Sequence, residues 1–278
     1  MKRTVMILLA AVFLIACGKK NESTTTDPKQ TSTENKSTES KTTDDGTLKF
    51  EEKKFFKSYN NCKTSDTCTY FQVNYLEAVS GKNKDKINKL LMREINWSLT
   101  IGDTTLTTIQ AAADSFMTSY VSFRKEVPES AQFWYLEYTM TQANDLPKLV
   151  SLSSTISSYM GGAHPNTYMS YLNINKETGD TVSLSALFAP GFEKKLNALV
   201  DAEYRKMKNL KPGDNLADKG DLFENKIEFN YNYTVNKDGS LTFYYNPYEI
   251  SAYAVGPIEV TLSKDQISGL LAADSLLK

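Results

Sequence analysis

The chain has 278 residues, with 32 Lys and Arg against 33 Asp and Glu, a single His, three Cys and a formal net charge of −1. A near-neutral chain without a basic cluster argues against nucleic acid as a partner, and one histidine rules out a multi-histidine metal centre. Any Ser-His-Asp or Cys-His arrangement would have to use His164.

The N-terminus reads as an export signal. Lys2 and Arg3 precede an apolar run from Val5 to Ile15, which is shorter than the roughly 20 residues needed to span a bilayer core. The run ends in Leu14-Ile15-Ala16-Cys17, which resembles a lipobox. Residues 1–16 are therefore expected to be a lipoprotein signal peptide and Cys17 the lipidated residue, holding the protein to a membrane. Several acyl chains on one residue anchor firmly, because each buried methylene contributes about 0.8 kcal/mol. Residues 17–46 form a polar stretch of Ser, Thr, Lys, Glu, Asp, Asn and Gln, too poor in apolar side chains to fold, and are expected to be a disordered tether. The expected location is the cell envelope, periplasmic or on the outer surface.

From residue 47 the composition becomes globular. Cys62 and Cys68 flank Lys63-Thr64-Ser65-Asp66-Thr67; outside the cytoplasm such an even pair is expected to be oxidised. A strand is predicted from Phe71 to Val79. A helix from Lys84 to Trp97 places Ile87, Leu90, Leu91 and Ile95 on one face. A longer one from about Leu106 to Val127 stops at Pro128. Strands follow at Phe133–Thr141, Leu149–Tyr159 and Tyr168–Asn175, the last turning at Glu177-Thr178-Gly179-Asp180 into a further strand from Thr181 to Leu184. A helix from near Pro190 carries a stripe of Phe192, Leu196, Leu199, Val200 and Met207. A hairpin then pairs Ile227–Val235 with Leu241–Tyr245 across Lys237-Asp238-Gly239-Ser240. Ile258, Val260 and Leu262 give a last strand, and Ser263 with Gln266 forms a capping-box pattern before a terminal helix. Hairpins mixed with helices, without steady βαβ alternation, predict an α+β fold with antiparallel sheets and packed helices. Two consecutive subdomains are expected, 47–148 and 149–278.

Standard catalytic signatures are missing: no Walker loop, G-x-G-x-x-G, H-E-x-x-H or G-x-S-x-G occurs. The two S-x-x-K matches, at Ser122 and Ser275, lack S-D-N or K-T-G companions. Neither a cofactor nor a metal site is indicated. Two segments stand out. Tyr159-Met160-Gly161-Gly162-Ala163-His164-Pro165-Asn166-Thr167 puts an imidazole on a tight loop, either as a ligand-contacting or metal-binding group or as a structural anchor bonded to backbone. Phe229, Tyr231, Tyr233, Phe243, Tyr244, Tyr245, Tyr248 and Tyr253 crowd the last hairpin and its loop. The first four are expected to form a core face, whereas Tyr248 and Tyr253 could equally bind sugar or protein. His164, Asn166, Tyr248 and Tyr253 are the ligand-binding candidates.

These segments also carry a resemblance. Gly161-Gly162-Ala163-His164, Glu177-Thr178-Gly179-Asp180, Ser183-Leu184-Ser185-Ala186-Leu187-Phe188 and Phe243-Tyr244-Tyr245-Asn246-Pro247-Tyr248-Glu249-Ile250 resemble a family of extracytoplasmic domains. That family is shared by the ectodomain of the lysozyme-sensing anti-sigma factor RsiV and the N-terminal region of the peptidoglycan deacetylase PdaC. The resemblance runs from about Phe50 to Leu271. This chain shows neither the deacetylase catalytic domain nor the transmembrane and sigma-binding segments. The resemblance thus implies an envelope binding module for a muramidase (lysozyme) or for peptidoglycan. An envelope hydrolase using His164, or a structural envelope protein, are the alternatives.

Overall fold

The computed structural model describes residues 46–64, 67–100 and 106–278. The expected signal peptide, Cys17 and the tether up to residue 45 lie outside the described residues.

Two strands open the fold: β1 (Lys49–Ser58) and β2 (Tyr70–Ser80), paired antiparallel from Lys49↔Ser80 to Ser58↔Tyr70. The Cys62–Cys68 disulfide closes the connection between them. Two helices follow. In α1 (Lys84–Ser98) the predicted stripe of Ile87, Leu90, Leu91 and Ile95 is buried. In α2 (Ile109–Glu126) the buried face is Ile109, Ala112, Ala113, Phe116, Met117 and Tyr120. Thr108 starts α2 by accepting from the Ala111 N–H at 3.1 Å, which satisfies one orphan donor of the first turn.

The helical excursion lets the chain return parallel to β2. β3 (Tyr135–Asp145) pairs with it from Tyr70↔Tyr135, a connection that a short hairpin could not make. β4 (Leu149–Tyr159) and β5 (Asn166–Asn175) then add antiparallel, giving a five-stranded sheet in the order β1-β2-β3-β4-β5. The turn at Leu146–Lys148 joins β3 to β4 inside this sheet, so its last two strands lie beyond residue 148. One sheet face, with Phe71, Val73, Leu136, Tyr138 and Leu152, packs on α1 and α2 as one core. Fully burying such side chains is worth about 1.5–3 kcal/mol each.

A second core forms around a three-stranded antiparallel sheet, β6 (Tyr233–Val235), β7 (Leu241–Tyr245) and β8 (Ile258–Leu262). It is covered by α3 (Leu184–Leu187), α4 (Glu193–Met207), α5 (Leu216–Lys219) and α6 (Lys264–Ser268). The capping box at Ser263 and Gln266 is present in both directions. Mixed helices and two antiparallel-rich sheets make this an α+β fold, as the element order implied.

Three local expectations are corrected. Thr181 makes only an isolated bridge to Ile174, and Leu184 begins α3 rather than ending a strand. On α4 the stripe continues through Tyr204, fully buried, while Met207 stays 48% exposed. The buried Tyr204 hydroxyl is satisfied there, donating to the Gly220 carbonyl at 2.5 Å. The predicted strand from Ile227 is regular only from Tyr233. Before it the backbone keeps one bond to β7, the Tyr244 N–H donating to the Asn232 carbonyl at 2.9 Å, and a side chain supplies the next: the Asn230 amide donates to the Tyr244 carbonyl at 2.7 Å. Tyr231 consequently points out, 42% exposed, whereas Tyr233 and Phe243 are core.

That use of asparagine links the two sheets. β5 is an edge strand, and its outer backbone groups need partners. Asn246 accepts from the Met169 N–H at 2.7 Å and donates to the Met169 carbonyl at 3.0 Å. Asn232 accepts from the Tyr171 N–H at 2.8 Å and donates to the same Met169 carbonyl at 2.8 Å. Asn173, buried, donates to the Tyr233 carbonyl at 2.7 Å. Side-chain amides thus supply what another strand would have supplied.

Candidate functional site

The β4–β5 turn carries the Gly161–His164 loop. Gly161 and Gly162 have φ of +97° and +111°, backbone that only glycine adopts without strain. At Gly161 an added Cβ would also sit 2.8 Å from Gln132 Oε1. This path sets His164 half-buried at the turn, its Nδ1 2.9 Å from the Pro165 carbonyl. With Nδ1–H donating, Nε2 is left as an acceptor.

Two of the tyrosines singled out from sequence converge on that ring. Tyr253 stacks on His164 with centroids 3.9 Å apart and planes 17° from parallel. Tyr248 lies 5.5 Å from Tyr253 and 6.4 Å from His164, again near parallel. The Tyr248 hydroxyl reaches His164 Nε2 at 3.5 Å, the outer limit of a hydrogen bond, and the Tyr253 hydroxyl donates to the Pro165 carbonyl at 3.3 Å. Tyr248 remains 58% exposed and Tyr253 37%, so the stack presents ring surface to solvent. Asn166 sits apart from it, exposed, at the start of β5 opposite Ser158.

The loop bearing Tyr248 is tightly held. Asn246, clamped on Met169, donates its N–H to Glu249 Oε2 at 2.9 Å, and Asn230 donates to Glu249 Oε1 at 3.0 Å. Tyr248 itself has a φ of +67°, uncommon for a bulky side chain and costly by about 1–3 kcal/mol. Below it, the Tyr245 hydroxyl donates to the Glu228 carbonyl at 2.6 Å, and burial raises its pKa well above that of an exposed tyrosine.

Sequence reasoning missed neighbours of this stack. Phe223, 57% exposed, bonds its N–H to the Ile250 carbonyl, beside the tyrosine loop. On the sheet face away from the helices, Phe56, Tyr70, Tyr135 and Tyr159 stack across four adjacent strands, with centroids 6.0, 5.8 and 6.4 Å apart. The Tyr159 hydroxyl donates to the Gly162 carbonyl at 3.1 Å, joining this row to the glycine loop. Tyr70 donates to Glu137 at 2.6 Å. The alternation of β2 and β3 held the signal for that row, but its register required knowing that β2 and β3 are parallel.

His164 has no carboxylate partner among the described residues, its contacts being Pro165 and the two tyrosines. Nor does any group of three or more His, Cys, Asp or Glu among the described residues offer a metal site.

Residues 62–167 match the family described as deacetylase PdaC, and residues 185–265 match the protein family of unknown function DUF3298. The chain carries the PdaC–DUF3298 domain pair. That pair is the domain family that the sequence motifs resemble. The glycine loop and His164 fall at the end of the PdaC region, whereas Tyr248 and Tyr253 fall within the DUF3298 region, so the stack forms where the two regions meet. A crystal structure of a DUF3298 member from Bacteroides fragilis is similar, at 18% identity and a TM-score of 0.68, covering 84% of this chain and 98% of its own. A DUF3298 structure from Pseudomonas aeruginosa gives 16% identity, a TM-score of 0.61 and coverage of 83% and 97%. At these identities the likeness establishes the fold. No curated protein matches the sequence.

Proposed function

We propose that the protein is a lipid-anchored binding module of the cell envelope, and that the His164/Tyr253/Tyr248 stack is its contact surface for a muramidase or for peptidoglycan. The observation that carries this reading is the combination of exposure and rigidity at the stack. Three near-parallel rings stay accessible, and the bulky Tyr248 is held at a φ of +67°. Backbone strain concentrates where a side chain must be presented in one orientation. Exposed tyrosines, apolar on the face and polar at the tip, suit both sugar stacking and protein interfaces. Cys17, in its lipobox-like setting, is the anchor in this reading, and residues 18–46 are the spacer.

Tyr248→Gly tests it, because glycine keeps the backbone path while removing the ring. Calorimetry against lysozyme and a pull-down with purified peptidoglycan are run on both forms. Binding to either partner by the parent, weakened at least tenfold in Tyr248→Gly with folding intact, supports the reading. A folded parent that binds neither, or a variant that binds equally well, refutes it.

A further inference from the structure

A second surface lies at the opposite end of the five-stranded sheet. β4 runs from the Leu146–Lys148 turn to the glycine loop, and its 11 residues place the two ends about 35 Å apart at roughly 3.3 Å per residue. At that far end an open cleft of about 220 Å³ is bordered by four lysines from separate parts of the chain: Lys148, Lys237, Lys264 and Lys278. None of the four has an ion-pair partner among the described residues, although nearby Lys176 pairs with Asp145. The one acidic side chain lining the cleft, Asp238, is turned into its own β-turn. It accepts from the Ser240 hydroxyl at 2.7 Å and the Ser240 N–H at 3.0 Å. Those bonds hold its carboxyl below the usual range. Lys264 is seated by packing: its Cδ lies 3.1 Å from where a Cβ on Gly239 would be. A substituent there would displace the lysine stem.

Four lysines against one carboxylate side chain, Asp238, line this cleft, so its lining is net positive on a chain whose net charge is −1. Lysine is a compact point charge, suited to a small polyvalent anion, whereas planar carboxylates are better matched by arginine forks. No arginine lines this cleft. Pro147 and Leu277 give it an apolar wall on which the carbon stem of an ester can rest. We propose that this cleft binds a phosphate group, carried either by a membrane lipid headgroup or by a soluble phosphate.

The test follows amide NMR signals of the full chain, at Gly239 and Leu277, in nanodiscs at constant ionic strength. Inorganic phosphate is titrated into phosphatidylcholine discs, and discs containing phosphatidylglycerol are compared with these. The parent is set beside Lys148→Gln/Lys264→Gln, whose unchanged remaining spectrum reports folding. Saturable shifts with inorganic phosphate, weakened at least tenfold in the variant, support a soluble phosphate ligand. Shifts induced only by phosphatidylglycerol and lost in the variant support a headgroup. Shifts in neither arm, shifts that chloride reproduces, or a variant that responds like the parent overturn the proposal. Tyr248 is remote from this cleft, so the lysozyme and peptidoglycan assays succeed or fail independently.

Discussion

Removing the Asn246 side chain attacks the fold and the candidate site at one point. Asn246 is 3% exposed and bonds both backbone groups of Met169. In Asn246→Ala the Met169 N–H loses its acceptor, a penalty of about 1–3 kcal/mol for a donor left unpaired and partly buried. The Met169 carbonyl keeps the Asn232 amide at 2.8 Å, so loss of the second bond costs only about 0.5–1.5 kcal/mol. The expected destabilisation is about 2–4 kcal/mol, read as a shift in urea midpoint at constant m-value. Asn232→Ala removes the partner clamp at Tyr171 and Met169. Because the two asparagines share one carbonyl, the double variant should cost more than the sum of the singles, by about 1 kcal/mol. Near-UV circular dichroism should change with Asn246→Ala as well, since Tyr248 follows two residues later. A cost below about 0.5 kcal/mol for Asn246→Ala, or strict additivity in the double variant, would refute the claim that these amides stand in for a missing strand.

Three further outcomes are expected. His164→Ala should destabilise by about 1 kcal/mol, from the lost ring stacking on Tyr253 and the lost bond to Pro165; a thermal melt showing no change would remove its anchoring role. Cys62→Ser with Cys68→Ser should cost about 2 kcal/mol by the loop-entropy relation for so short a loop; chemical denaturation checks this, and an unchanged midpoint would contradict it. Burial, with Asp221 nearby, raises the Tyr204 hydroxyl to about 12, above the roughly 10 of an exposed tyrosine. The unfolded chain therefore loses that proton first, so its contribution is intact below pH ~10 and lost as pH rises toward ~12. Tyr204→Phe should flatten the alkaline limb of the stability profile, and an identical slope in both forms would contradict the assignment.

Where one physical signal dominated, the sequence was legible. The 3.6-residue periods of α1 and α2 specify their elements closely, because each buries one continuous apolar face; β4 also matches its predicted bounds, although its first half is buried on both faces, with Leu149 in one core and Val150 and Leu152 in the other. Legibility failed where side chains took over backbone duties. From Ile227 to Asn232 the apolar alternation still reads as strand, yet Asn230 and Asn232 spend their amides on Tyr244, Met169 and Tyr171, and the regular ladder begins only at Tyr233. Propensity scales treat asparagine as a turn residue, and they carry no account of an amide completing the edge of a distant strand. The pairing of β2 with β3 was hidden for a different reason: it joins segments 65 residues apart, Tyr70 and Tyr135, through two helices.

The candidate site shows the same division at closer range. His164 and the pair Tyr248/Tyr253 were each conspicuous alone, one for its glycines and the other for its aromatic density. Their meeting depends on Asn246, which docks the tyrosine loop on Met169, five residues beyond His164. An asparagine followed by proline reads locally as the start of a turn, and here it is one, with the Glu249 N–H bonded to the Asn246 carbonyl at 3.0 Å. The same residue thus turns the chain with its backbone and joins two sheets with its side chain. That double duty makes Asn246, rather than His164, the position at which presentation of the stack is decided. A conservative change there, Asn246→Asp, would keep the acceptor for Met169 but set a carboxylate against the Met169 carbonyl. Its cost should exceed that of Asn246→Ala, because a charge held against a carbonyl in a buried setting is worse than a missing bond.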